Sequence, residues 1–329
     1  MSDAATPLRP VPVTLITGFL GAGKTTLVNR ILREAGGLRL AVLVNDFGAL
    51  NIDAELIDAR SQEVISLANG CICCSLAGGL LAAVSRLLRS AQPPDAIIIE
   101  SSGVTDPLEV VRALSDPELQ AFAPLDGVVT LVDAAGFDQL DQEAVALAER
   151  QIGAADLVLL NKAELVDAAA LQALERRIMR LAWGIRVIRC SNAEVPLSVL
   201  LGVGRSDLAR QPVFRPRPVP EAQGMFESLV IERTHPLRAT QLHALLAALP
   251  ERVYRVKGVL HLTERPQMRC ILQATGRRAT VTIDRAWGDE PPASRLVFIA
   301  ARGAMERALI ERHLDQDAPE RVETRTVLA

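Results

Sequence analysis

A chain of 329 residues exceeds what one small hydrophobic core organises, so two domains are expected. Apolar residues make up 49% and the formal charge is −3, which excludes a strongly basic nucleic-acid-binding protein and fits an ordinary soluble globular one. Met1–Pro10 carries no apolar signal core and no unbroken apolar run approaches membrane-spanning length, so the expectation is a cytoplasmic protein without nucleic-acid or membrane partners.

The first strand candidate, Val13–Thr17, runs into Gly18-Phe19-Leu20-Gly21-Ala22-Gly23-Lys24-Thr25-Thr26, which fits the phosphate-binding pattern G-x-x-x-x-G-K-[ST]. Gly18, Gly21 and Gly23 allow a tight turn whose N–H groups, with that of Ala22 among them, face phosphate oxygens. Lys24 adds a point charge, the Thr25 hydroxyl suits a Mg²⁺ shell, and the helix expected over Thr25–Arg33 turns its positive end toward the anion. Only Lys24, Lys162 and Lys257 are lysines among 36 basic residues, so each is expected to mark a place that the forked guanidinium cannot serve.

Apolar strand candidates then alternate with helical segments: Leu40–Asn45, Val64–Leu67, Ala96–Glu100, Gly127–Val132, Asp156–Leu160 and Arg186–Cys190, with helices near Ala77–Arg89, Leu108–Leu114, Gln142–Gln151 and Ala168–Leu181. The alternation predicts an α/β domain over residues 11–204, a P-loop fold with a mostly parallel sheet and helices on both faces. Residues 205–224, rich in Arg and Pro, read as a linker, since proline removes donors and constrains its neighbours. Residues 225–314 read as a smaller α+β domain, with strands at Phe226–Glu232, Val253–Leu262, Met268–Gln273, Ala279–Asp284 and Arg295–Ala300, and helices at Ala239–Leu249 and Met305–Leu314. Residues 1–10 and 315–329 read as tails.

Four motifs follow the phosphate loop. Ile97-Ile98-Ile99-Glu100 ends a strand in a carboxylate for Mg²⁺, through water, or for the attacking water, and Gly103 offers a backbone N–H to a γ-phosphate. Asn161-Lys162-Ala163-Glu164 approaches the guanine-reading pattern N-K-x-D, in which a carboxylate accepts from a pair of donors that adenine lacks. In Cys71-Ile72-Cys73-Cys74, an extended backbone puts Cys71 and Cys73 on one side, where paired thiolates suit a cation such as Zn²⁺; small buried cysteines or a redox pair are the alternatives. Asn45-Asp46-Phe47-Gly48 stands where a switch loop would be, with Asp46 in reach of the Mg²⁺ shell or a transferred metal; a plain strand-end turn is the alternative. Cys190 and Cys270 read as core, and His235, His243, His261 and His313 as helix-face or surface residues.

This ordered set, followed by Cys190-Ser191-Asn192-Ala193-Glu194-Val195-Pro196, resembles the CobW-type GTPases, metallochaperone relatives of the urease and hydrogenase nickel-insertion GTPases. Tyr254–Leu260 and Ser294–Ile299 resemble that family's carboxyl-terminal domain, and the likeness spans about residues 11–313. It implies GTP and Mg²⁺ binding, slow hydrolysis served by Lys24, Glu100 and Asp46, and a transition metal, Zn²⁺ or Co²⁺, held by Cys71, Cys73 and Cys74. Hydrolysis would release that metal to a client metalloenzyme or cofactor pathway. Three departures stand out: Asp46 and Ala49 replace two glutamates, Glu164 replaces the base-reading aspartate, and no histidine-rich loop is present. A GTP-regulated interaction module with structural or redox-sensing cysteines is the second reading, and a P-loop kinase a weaker third.

Overall fold

The computed structural model describes residues 10–45, 63–66, 76–90, 92–182, 184–201, 226–276 and 278–316. Asp46, the cysteines at 71, 73 and 74, and the Arg/Pro-rich stretch lie outside them.

The first domain runs β1 (Val13–Gly18), α1 (Lys24–Glu34), β2 (Leu40–Asn45), β3 (Glu63–Ser66), α2 (Leu76–Leu88), β4 (Ala96–Ser101), α3 (Pro107–Leu114), α4 (Pro117–Phe122) and β5 (Leu125–Asp133), then α5 (Gln142–Ala154), β6 (Leu157–Asn161), α6 (Ala168–Leu181), β7 (Arg186–Arg189) and α7 (Leu197–Leu200). Its seven strands form one parallel sheet in the order β3-β2-β4-β1-β5-β6-β7. Helices cover both faces, which is why the central strands are continuous apolar runs rather than alternating ones. In β1, Ile16 packs with Leu27, Val28 and Ile31 of α1, while Leu15 packs with Val84 and Leu87 of α2 and Leu114 of α3. Helices α5 and α6 cover the β6 end through Ile152, Leu174 and Ile178.

The second domain contains β8 (Phe226–Arg233), α8 (Ala239–Ala248), β9 (Val253–His261), β10 (Met268–Thr275), β11 (Arg278–Ala286), β12 (Ser294–Ala301) and α9 (Arg307–Asp315). Its five strands pair antiparallel in the order β11-β10-β9-β12-β8. Leu242 and Leu245 of α8 and Ile310 and Leu314 of α9 cover one face through Val256, Leu260, Leu272 and Phe298.

The opposite face of β9 meets the first domain. Arg255 and Lys257, two apart and therefore on one side of the strand, are both buried. Arg255 pairs with the fully buried Asp126 of β5 and donates to the Val199 carbonyl at 3.3 Å; Lys257 donates to the Leu201 carbonyl at 2.7 Å. Beside them Arg278 pairs with buried Asp156 at 2.8 Å, and Asp156 also accepts the Val128 N–H at 2.9 Å. Gly276, at φ +55°, lets the β10–β11 turn lie on Asp156, whose carbonyl would be 1.9 Å from an added Cβ. Asp126 and Asp156 stand at the N-terminal ends of β5 and β6, and Val199 and Leu201 at the C-terminal end of α7, so the second domain sits at the end of the sheet opposite the phosphate loop.

Helices α4 and α7 were not anticipated; at six and four residues they are too short to show a period. The tail expected from Asp315 has that residue closing α9, where its carboxylate accepts from Arg233 at 2.6 Å. No helix among the described residues is long and apolar enough to cross a membrane.

Replacing Arg255 with alanine strands the buried Asp126 carboxylate, so urea unfolding should show a loss of about 3–5 kcal/mol. Burial, then the Arg255 charge, pushes the Lys257 pKa well below its usual 10.5. Between the lowered value and 10.5 the unfolded chain binds a proton that the folded protein has shed, so stability rises with pH and levels off above that range. Lys257→Met should remove this rise when unfolding free energies at pH 7 and pH 10 are compared with wild type.

Candidate functional site

The loop between β1 and α1 is shaped by what surrounds it. Gly18 has φ +135°, and a Cβ there would stand 2.3 Å from the Leu131 carbonyl of β5. Gly23 has φ +102°, and its Cβ would meet Asn161 Nδ2 at 2.6 Å. Glycine at both positions therefore answers conformation and close approach together. The loop is tied down at Ala22, whose carbonyl accepts from Asn161 Nδ2 at 2.9 Å. Among the described residues nothing lies within 4 Å of a Cβ added at Gly21.

Helix α1 starts without a side-chain cap: Gly23 occupies the N-cap position in a left-handed conformation. By contrast α3, α5 and α6 are capped by Asp106, Asp141 and Asp167, each accepting backbone N–H groups of the first turn. The uncapped N–H groups of α1 leave a positive end directed at the loop, where an anion satisfies them. Buried Lys24 lies across the same loop, its Nζ donating to the Phe19 carbonyl at 3.1 Å.

The Thr25 hydroxyl donates to Glu100 Oε1 at 2.8 Å. Glu100 is buried at the end of β4, paired in register with Ile16 of β1. A hydroxyl and a carboxylate meeting beside a phosphate cradle form a hard oxygen set, the donor chemistry that Mg²⁺ takes. Gly103, three residues further, packs on Leu20 of the loop, with 2.8 Å between an added Cβ and the Leu20 nitrogen. Thr26 is exposed on the first turn of α1.

The Asn161–Glu164 motif and its partners come from the ends of β5, β6 and β7. Asn161 is 3% exposed and acts as a wedge: its Oδ1 accepts the Ala193 N–H at 2.8 Å while its Nδ2 holds Ala22. Asn192 and Ala193, at φ +50° and +54°, turn the β7 loop so that this N–H points inward. Lys162, itself at φ +60°, places Nζ 2.6 Å from Asp133 Oδ2 at the end of β5, and Asp133 Oδ1 accepts the N–H groups of Ala135 and Gly136 at 3.1 Å each. Glu164 is exposed; the Ser191 hydroxyl that donates to it, then its own backbone N–H, hold its carboxyl below the usual range. Arg30 of α1 pairs with Glu194, joining the helix to the β7 loop.

Thus Gly18, Gly21, Ala22, Gly23, Lys24, Thr25, Glu100, Gly103 and Asn161 converge on one end of the sheet, with Lys162 and Glu164 alongside. Asp133 and Ser191 had no role in the sequence reading. Their signal was position: Asp133 ends β5, level with Asn161, and Ser191 lies two residues past the end of β7, the strands on either side of β6.

Among the described residues no three His, Cys, Asp or Glu side chains are grouped to hold a metal ion. His235 and His313 contact backbone carbonyls, and His261 packs edge-on against Trp287. Cys190 and Cys270 are buried.

Residues 12–189 match the family model described as CobW/HypB/UreG, nucleotide-binding domain, and residues 226–317 that of the cobalamin synthesis protein cobW C-terminal domain. The chain is 34% identical to the zinc chaperone CobW of Sinorhizobium sp, across 94% of this chain and 98% of that protein. It is 33% identical to the zinc chaperone YjiA of Escherichia coli (strain K12), across 89% and 94%. It is 28% identical to zinc-regulated GTPase metalloprotein activator 1 of Dictyostelium discoideum, across 82% and 67%.

Burial pushes the Cys190 thiol up to about 12 and raises that of Cys270. Both should stay unreactive toward a disulfide reagent in native protein at pH 8, since the thiolate is the nucleophile. Any fast-reacting thiols among the five should disappear when Cys71, Cys73 and Cys74 are all changed to serine, with two more appearing only after denaturation.

Proposed function

This chain belongs to the CobW/HypB/UreG family of nucleotide-binding proteins, and on that premise we propose that it hydrolyses GTP slowly and carries a transition metal for a client metalloenzyme or cofactor pathway. The observation that carries the nucleotide half is the Thr25–Glu100 contact at the uncapped start of α1. Lys24 and the N–H groups of residues 21–26 bind the β- and γ-phosphates. Thr25 and Glu100 would hold Mg²⁺, which when bound offsets charge developing on the phosphate oxygens. Glu100, buried beside Thr25, orients the attacking water, and the Gly103 N–H bonds a γ-phosphate oxygen.

Guanine recognition falls to Glu164. Its carboxyl is held below 4.5, so it stays ionised at neutral pH and can accept the N1–H and N2–H pair. Asn161 and Lys162 support the base side, with Asp133 fixing the lysine head.

The metal half rests on sequence. Cys71, Cys73 and Cys74 lie between the phosphate loop and Glu100 in the chain, so thiolates there stand in the segment that a γ-phosphate would order, together with Asp46. Zinc is favoured because three thiolates suit that ion and because relatives are named zinc chaperones. Loss of the γ-phosphate would then loosen the metal's ligands and favour transfer.

Co²⁺ titration of the apo-protein, followed by thiolate charge-transfer absorbance with Mg²⁺ present, tests this reading. Affinity should tighten at least about tenfold, the 1.4 kcal/mol that marks real coupling, with a non-hydrolysable GTP analogue compared with GDP. It should also be lost in a Cys71→Ala, Cys73→Ala variant. Absorbance that is absent, or equal with either nucleotide, would overturn the carrier and favour a GTP-regulated interaction module.

A further inference from the structure

Gln151 is a polar side chain that neither the phosphate chemistry nor base recognition uses. It lies on α5, fully buried, on the stripe shared with Ala148 and Ile152. Its amide Nε2 donates to two carbonyls of the segment following β4, Gly103 at 3.1 Å and Thr105 at 3.3 Å. Its backbone carbonyl accepts the Thr130 hydroxyl at 3.0 Å, pinning this turn of α5 to β5. The side chain also lines a cavity of about 100 Å³ behind the phosphate loop, bounded by Phe19, Leu131, Asp133, Phe137 and Leu140.

The same glycine is held from its other side. Gly103 packs on Leu20 so closely that a side chain at 103 would overlap it, with 2.6 Å to Leu20 Cδ2. The peptide groups that flank Gly103 are therefore fixed between a loop that binds phosphate and an amide anchored in the helix layer. A primary amide has two N–H donors in a fixed plane, so satisfying two carbonyls at once sets the orientation of the segment as well as its distance. Both bonds are buried, where an unsatisfied carbonyl costs most.

We propose that Gln151 is a positioning residue for γ-phosphate recognition: it holds the 103–105 segment so that the Gly103 N–H is already aimed at the γ-phosphate before nucleotide binds. This rests on the GTPase reading above. The γ-phosphate is the only group that distinguishes GTP from GDP, so Gln151 should govern discrimination between the two nucleotides rather than nucleotide affinity in general.

The test uses full-length wild type, Gln151→Met, which keeps the length without the donors, and Gln151→Glu, which keeps the shape and puts an ionised oxygen against the two carbonyls. Dissociation constants for fluorescent GDP, ATP and a fluorescent non-hydrolysable GTP analogue are measured with Mg²⁺, together with kcat for phosphate release. Both variants should bind GDP within about twofold of wild type, lose about tenfold in affinity for the GTP analogue, the scale of one or two buried hydrogen bonds, and lose kcat at saturating GTP. Gln151→Glu should regain part of the analogue affinity as pH falls through its carboxyl pKa, because the protonated acid again donates. A variant that loses GDP and analogue affinity equally, or loses neither, overturns the role of Gln151. If Gln151→Met does not fold, the pH response of Gln151→Glu decides, and a ratio unaffected by pH counts against the proposal. Wild type that does not prefer GTP to ATP overturns the functional reading itself and this inference with it.

Discussion

The peptide of Leu131 leaves no room for a side chain at Gly18, and the amide of Asn161 leaves none at Gly23. These two exclusions force the β1–α1 connection into a single path between β5 and β6. Everything else at this end of the sheet takes its place from that path. Lys24 finds the Phe19 carbonyl because the loop closes back on itself, and Thr25 reaches Glu100 because α1 starts where the loop releases it. A donor array fixed this way needs no reorganisation when an anion arrives, which is the condition under which backbone N–H groups bind and stabilise charge most effectively.

The other end of the sheet solves a different problem. Strand β9 is buried along almost its whole length although it belongs to an antiparallel sheet. Such sheets commonly keep one face wet; here helices take one face and the first domain takes the other. Arg255 is placed against Asp126, Arg255 and Lys257 donate to the C-terminal end of α7, and Arg278 is placed against Asp156. Breaking any of these pairs leaves a buried charge behind, so the two domains are held in one arrangement more firmly than apolar contact alone would hold them.

Much of this was legible in the sequence. Glycine spacing, the lysine and the apolar runs identified the loop and a mostly parallel sheet, and most element boundaries fall within one or two residues of the observed ones. What escaped shares one physical cause: a polar residue on a stripe normally reads as solvent-facing. Arg255 and Lys257 alternate with apolar residues in β9, the pattern of a half-exposed strand, yet they face a second domain. Gln151 falls three residues after Ala148 and one before Ile152, on the buried side of α5, so its period placed it inside while its chemistry suggested outside. Asp133 closes a strand without belonging to any motif, and its partner, Lys162, is 29 residues away. Long-range pairing of this kind leaves no local trace.

The scarcity of lysine has an experimental consequence. Each of the three donates to an oxygen acceptor: the Phe19 carbonyl, the Asp133 carboxylate or the Leu201 carbonyl. None stands free on the surface of the described residues, where amine-directed reagents usually spend themselves. Among the lysines, acylation of the native protein should therefore favour Lys162, half-buried just past β6, over Lys24, buried in the phosphate loop, and Lys257, sealed between the domains. A lysine-specific protease does not cut at an acylated lysine, so each modified position shows as two peptides left joined. Competition by a bound nucleotide can then be counted amine by amine, a footprint with almost no background.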